Sequence, residues 1–106
     1  MTSLEPVISR AVNASLSAAL EGIEEGAVDA GLPRESARAF ARQALVGSAL
    51  LLEDVAESPA ALKDRVASPG GTTIAGLAVL EDRGTRGALI RAVDQAVQGA
   101  VEGRDK

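Results

Sequence analysis

Residues 62–77 read LKDRVASPGGTTIAGL, and this stretch decides the fold. Its first part, through Val66, has a helical pattern, and Pro69 with the adjacent Gly70 and Gly71 then interrupts it. The stretch resumes with two threonines and an apolar run, which is typical of the start of another helix. The pattern predicts a loop over residues 67–73 between two helices.

Pro and Gly also interrupt the helical pattern at other points along the chain. Apolar residues recur at helical spacing, and no alternating pattern typical of a strand runs for more than a few residues. Ser58 and Pro59 form a pair suited to the start of a helix, and Gly31 is a candidate helix terminator. The sequence therefore predicts an all-α fold of five helices, over residues 4–30, 34–55, 60–66, 73–81 and 85–102.

The second predicted helix is apolar on nearly every side over residues 44–52, where only Gly47 and Ser48 interrupt the run. A helix of that kind is buried on every side. The chain has 106 residues and one aromatic residue, Phe40, so its own core is too shallow to surround the helix. We therefore expect a second copy of the chain to cover it.

Composition excludes several classes of function. The chain has no cysteine and no histidine, so disulfides, thiolate zinc sites and histidine catalysis are absent, and we expect no metal site. Its net charge of −4, with no basic patch, argues against nucleic-acid binding. No secretory signal and no apolar run long enough to span a membrane is present, which predicts a cytoplasmic protein that binds no membrane.

Packing does not explain the loop before the fourth helix. The backbone N–H groups at a helix start, flanked here by Gly70, Gly71, Thr72 and Thr73, can bind a carboxylate or a phosphate. The alternative is a plain turn in which Thr72 caps the helix, and spacing alone favours that turn. The loop lacks the Gly-Lys-Ser/Thr of a nucleotide-binding P-loop.

Other charged residues fit a surface role. The acidic residues Glu21, Glu24, Glu25 and Asp29 predict a solvated face of the first helix. We expect an exposed turn at Lys63, Asp64 and Arg65. In that turn, Asp64 and Arg65 would form a local ion pair. On these grounds the catalytic residues stay unknown, and without histidine or cysteine any catalysis would rest on Asp, Glu, Thr and positioning.

With its flanking residues, the loop resembles a known signature. Residues 62–77, followed by Val79-Leu80-Glu81 and Arg86-Gly87-Ala88-Leu89-Ile90, look like the C-terminal dimerisation domain of the pyrroline-5-carboxylate reductase family. The resemblance covers about residues 21–97. It implies an all-helical domain whose helices interlock with those of a second copy, in a homodimer or a ring of dimers. It also implies that the substrate carboxylate lies against Gly70, Gly71, Thr72 and Thr73.

The chain also departs from that family in two respects. Family members hold NADPH or NADH in an N-terminal Rossmann domain, for which these residues leave no room, so no cofactor is expected in this chain alone. At residues 9–15 the family's Gly- and Pro-containing stretch beside the substrate is replaced. There Arg10 and Asn13, together with Ser68 of the loop, would form a changed wall of the pocket.

These observations leave three hypotheses for the chain, taken as one domain over residues 1–106. The favoured hypothesis is a homodimeric module with a pocket for a carboxylate or another small metabolite, unable to reduce a substrate by itself. A second hypothesis is a cofactor-independent cyclase or isomerase that uses the family's substrate pocket to act on an imine or a similar small molecule. The third is the dimerisation half of a split reductase, with NAD(P)H bound by a separate Rossmann-domain protein.

Overall fold

A computed structural model describes residues 4–55, 58–67 and 72–103 of the chain, and these residues form five α-helices. The helices are α1 (Leu4–Asp29), α2 (Arg34–Val55), α3 (Pro59–Val66), α4 (Thr72–Asp82) and α5 (Thr85–Val101). No strand occurs in those ranges. The all-α prediction is confirmed, and each predicted helix boundary lies within one residue of the observed one.

The helix α1 ends in a glycine turn that folds α2 back against it. Leu32 N–H donates to the Ala27 carbonyl and Gly31 N–H to the Val28 carbonyl, each at 3.0 Å. This pair of bonds is the Schellman motif, which satisfies carbonyls that the helix end would otherwise leave unpaired. Gly31 has φ of 122°, a backbone conformation that side chains disfavour. The predicted role of Gly31 as the terminator is confirmed.

Local signals also set the later helix ends. Ser58 caps α3, since its side chain accepts a hydrogen bond of 3.1 Å from Ala61 N–H, and Pro59 occupies the first helical position. Gly84, with φ of 70°, separates α4 from α5. Within the chain, α1 packs against both α2 and α5, and α4 packs against α5. The helix α1 is therefore the element that both α2 and α5 contact.

The buried core is small. Among the described residues, the buried apolar side chains are Val7, Ala37, Ala41 and Leu62. Two of these four are alanines, which contribute little apolar area. Phe40, the largest apolar side chain of the sequence, is 68% exposed and lies outside the core. One copy of the chain thus has little apolar burial of its own to offset the entropy lost on folding.

An acidic residue belongs to the contact between α1 and α2. Glu24 is 9% exposed, and its carboxylate lies 3.5 Å from Arg42 Nε and 3.9 Å from Arg38 Nε, both on α2. The prediction that Glu24 belongs to a solvated face is wrong. Two guanidinium groups from the neighbouring helix neutralise the carboxylate, which allows its burial. Nearby Glu25, which pairs with Arg34 at 3.1 Å, is exposed as predicted.

We expect Glu24→Gln to destabilise the fold more than the same change at Glu25. The introduced amide would keep the shape of the side chain but leave Arg38 and Arg42 without their shared carboxylate. The arginines are half-exposed, so the expected loss is about 1–2 kcal/mol of unfolding free energy, against less than about 0.5 kcal/mol for Glu25→Gln. Urea unfolding followed by circular dichroism at one fixed protein concentration measures both. Equal losses would show that the Glu24 cluster contributes no more than an ordinary surface pair.

Candidate functional site: the uncovered apolar surface and the start of α4

The chain exposes more surface than a compact protein of its size. Its solvent-accessible area is 7891 Å², whereas a compact monomer of 10.7 kDa exposes about 5,500 Å². Its radius of gyration is 15.9 Å, against about 13 Å for a compact domain of this length. The isolated chain is therefore an open arrangement of helices.

Much of that exposed surface is made of large apolar side chains. They occur on every helix, and those on α1 and α2 have the most regular placement: Leu4, Ile8, Val12, Leu16 and Ile23 on α1, and Phe40, Val46 and Leu50 on α2. The side chains on α1 follow helical spacing and so form one continuous stripe. Contiguous apolar surface of this kind marks an interaction site in a soluble protein.

The helix α2 has one face packed on α1 and another face uncovered. Its buried residues Ala37 and Ala41 face the rest of the chain, and Leu50 lies on the opposite side of the helix. Phe40 and Gly47 lie on the flank between these two sides. Leu50 is 63% exposed, and a Cβ added at Gly47 would meet no described atom within 4 Å apart from its chain neighbours and the nearby backbone of its own helix. The chain does not supply the cover that the all-round apolar pattern of residues 44–52 predicts.

An apolar groove lies between α1 and α2. Its volume is about 310 Å³, and its lining consists of Leu16, Ala19, Leu20, Ile23, Ala41, Ala44, Leu45 and Ser48. Only Ser48 among these has a polar side chain. The small residues Ala19, Ala44 and Ser48 let another helix approach closely, because the distance between packed helices depends on the side chains at the contact.

A second, more polar groove runs along the other side of the contact between α1 and α2. It has a volume of about 550 Å³ and includes Ser17, Glu21, Glu24 and Arg42. Sequence reasoning missed the Glu24 cluster that borders it. A signal was present in the two arginines of α2, Arg38 and Arg42, which are four residues apart and therefore share a helix face.

Only part of the predicted carboxylate loop falls within the described residues. Thr72 and Thr73 form the first turn of α4 and are exposed, and that turn contains no acidic residue. The N–H groups of a first turn have no partner within their helix. A carboxylate would meet backbone donors and two hydroxyls there without a competing negative charge. Gly70, Gly71 and Ser68 lie outside the described residues.

The predicted pocket wall lies on a different helix. Arg10 and Asn13 are exposed on α1, in the half of that helix that precedes the groove. In one chain α1 and α4 each pack against α5. The described contacts do not place Arg10 or Asn13 beside Thr72 and Thr73.

The surface role predicted for Lys63 is only partly right. Lys63 is half-buried and borders a groove of about 230 Å³ with residues of α4 and α5, including Leu77, Leu80 and Leu89. Asp64 and Arg65 are exposed as predicted. Across this groove Arg86 Nη2 lies 2.9 Å from Glu81 Oε2, which links α4 to α5.

Two further properties concern the described residues alone. None of their helices is both long and apolar enough to cross a membrane. Within the same residues, no group of three or more acidic side chains is arranged to hold a metal ion.

Comparison with known proteins accounts for nearly the whole sequence. Residues 7–103 match the family described as pyrroline-5-carboxylate reductase dimerisation. A pyrroline-5-carboxylate reductase of Synechocystis is 49% identical over 83 residues, which cover 78% of this chain and 31% of that protein. The reductase of Escherichia coli is 46% identical, over 74% of this chain and 29% of its own length. The reductase of Lophium arboricola is 51% identical, over 73% of this chain and 24% of its own length.

The matched segment is thus a fraction of each reductase. The chain matches 24–31% of the length of these relatives, and the matched part is the family's dimerisation domain. The all-helical fold and the uncovered apolar surface agree with a domain that self-associates. By its sequence match and its helical fold, the chain belongs to the pyrroline-5-carboxylate reductase dimerisation family.

Proposed function

We propose that this chain is a homodimerisation module whose helices interlock with those of a second copy. The uncovered apolar surface carries the proposal. The chain exposes about 2,400 Å² more than a compact monomer, or about 4,800 Å² for two copies. Obligate homodimers bury roughly 2,000–5,000 Å² in all, so one dimer interface suffices to cover the excess. A ring of dimers would then form through surface that the dimer leaves exposed.

The start of α4 is the proposed ligand site of the module. We infer that Thr72 and Thr73, with Gly70 and Gly71 before them, bind the carboxylate of a small molecule. The relatives named above are reductases of pyrroline-5-carboxylate, a cyclic imine that bears a carboxylate. The exposed threonines and the absence of acidic residues in the first turn support the same chemistry here. Arg10, Asn13 and Ser68 would border this site only if the dimer brings α1 close to it.

The module is not proposed to reduce a substrate by itself. The residues that match the family belong to its dimerisation domain, so a nicotinamide cofactor would bind to a nucleotide-binding domain outside these 106 residues. That domain would belong to a further segment or to a separate partner protein. Identities of 46–51% with complete reductases favour this arrangement over a new cyclase or isomerase activity. The role of the module is to pair such domains and to present the carboxylate loop.

The dimer can be tested with a single charge on the uncovered face of α2. In wild-type protein we expect twice the chain mass of 10.7 kDa at micromolar concentration, measured by light scattering after gel filtration. Leu50→Arg should raise the dimer dissociation constant at least about 100-fold, because a buried unpaired charge costs several kcal/mol. Leu50 is 63% exposed in one chain, so the monomer itself should tolerate the change.

Gln95→Arg is the matched control for Leu50→Arg. Gln95 is an exposed polar residue on α5, and the same arginine there should leave the dimer intact. A wild-type protein that is monomeric and folded at these concentrations would refute the proposed dimer. An intact dimer in Leu50→Arg would show that this face of α2 lies outside the interface.

The carboxylate site can be tested by amide chemical shifts. We expect the N–H signals of Thr72 and Thr73 to move on titration with proline, a cyclic carboxylate, and to stay in place with pyrrolidine, the same ring without it. Thr73→Val should weaken proline binding about 5- to 10-fold, the effect of one hydroxyl hydrogen bond to a charged group.

The control for Thr73→Val is Thr85→Val, which changes a threonine in the first turn of the neighbouring helix α5. It should leave proline binding unchanged. Signals of Thr72 and Thr73 that do not respond to proline, or an equal loss in both variants, would contradict a carboxylate site at the start of α4.

A further inference from the structure

The polar groove on the other side of the α1–α2 contact carries charges of both signs. Glu21 and Glu24 contribute carboxylates from α1, and Arg42 contributes a guanidinium from α2. The groove volume of about 550 Å³ lies within the range of small-molecule sites, roughly 300–1,000 Å³. Neither the uncovered apolar surface nor the turn at the start of α4 includes this groove.

The negative wall of the polar groove has one fixed carboxylate and one available carboxylate. Glu24 is buried, and its carboxylate lies 3.5 Å from Arg42 Nε and 3.9 Å from Arg38 Nε. Glu21 lies about one turn earlier on the same face of α1 and is exposed. Within the described residues, no ion pair engages Glu21. Its carboxylate can therefore accept hydrogen bonds from the ammonium group of a ligand.

The positive wall keeps hydrogen-bond donors for a ligand. The Arg42 side chain is 60% exposed, and its Nε faces the Glu24 carboxylate. A guanidinium has five N–H donors in a fixed fork, so the Nη groups of Arg42 can bind a second carboxylate while Glu24 stays in place. The contact with Glu24 also fixes where the guanidinium lies, about one helical turn from Glu21.

A ligand with a single charge would meet a like charge in the polar groove. An anion would lie beside the carboxylates of Glu21 and Glu24, and a cation would lie beside the guanidinium of Arg42. An α-amino acid carries an ammonium and a carboxylate on the same carbon, so it can place one group on each wall. Ala14 and Ala18 also line the groove, and their small side chains leave room for an apolar side chain of the ligand.

We propose that the polar groove binds a free α-amino acid with an apolar side chain, whose ammonium contacts Glu21 and whose carboxylate contacts Arg42. The site is separate from the carboxylate-binding turn of α4, because its walls belong to α1 and α2. It does not depend on the proposed homodimer either, since one chain supplies both walls. A ligand that joins α1 to α2 stabilises the hairpin by mass action.

Three probes that differ by one charged group test the site on the full chain. They are leucine, leucinamide, which lacks the carboxylate, and isocaproate, which lacks the ammonium. We expect leucine to move the amide signals of Ala18 and Glu21. The dissociation constants of the other two should be at least about tenfold higher, because each loses a charge-assisted contact. Equal binding of isocaproate or leucinamide would overturn the amino-acid assignment. Signals that do not respond to leucine at millimolar concentration would overturn the site.

Two variants test the two walls. Glu21→Gln should weaken leucine binding at least about tenfold, and the fold should tolerate it because Glu21 is exposed. Arg42→Lys keeps a positive charge beside Glu24 but removes the planar fork, so it should also weaken leucine binding, about fivefold or more.

The matched control is Glu25→Gln, which changes a neighbouring exposed acid that pairs with Arg34 and does not line the groove. It should leave leucine binding unchanged, and circular dichroism should show that all three variants stay helical. Unweakened binding in Glu21→Gln, or the same loss in Glu25→Gln, would overturn the proposed contacts.

Discussion

The structure depends on a mismatch between apolar content and core volume. Hydrophobic residues make up 46% of the sequence, yet it holds one aromatic, and the buried apolar set of the described residues is Val7, Ala37, Ala41 and Leu62. Burial of apolar area is the main favourable term in folding, so a chain that buries this little is marginal alone. In the proposed homodimer, association supplies the missing burial, and folding and self-association are then aspects of one equilibrium.

The hairpin of α1 and α2 is the part that one chain can fix by itself. The Gly31 turn sets the direction in which α2 returns. The carboxylate of Glu24 forms ion pairs with two arginines of α2. Both features lie away from the apolar groove, so they define its walls without filling it. Both walls of the groove therefore come from a single chain.

The helix boundaries could be read from the sequence because local signals encode them. Ser58, Pro59, Gly31 and Gly84 act within one turn of their own positions. Burial is not local. Glu24 looks like its exposed neighbour Glu25, and only the arginines of α2, packed across the helix contact, distinguish them. Phe40 is an apolar residue of the kind that usually lies in a core, yet it points outward because of the way in which α1 and α2 pack.

The candidate site shows the same division between features that are local in sequence and features that depend on tertiary contacts. The glycines and threonines before α4 are contiguous in sequence, so a motif reveals them, whereas a wall formed by Arg10 and Asn13 depends on how distant helices meet. In the proposed dimer, α4 carries the carboxylate-binding turn together with apolar side chains that a partner would cover. A ligand that binds the ordered turn would then favour the associated state, and association would in turn strengthen ligand binding by the same factor. That reciprocity would give the proposed module a direct part in ligand binding.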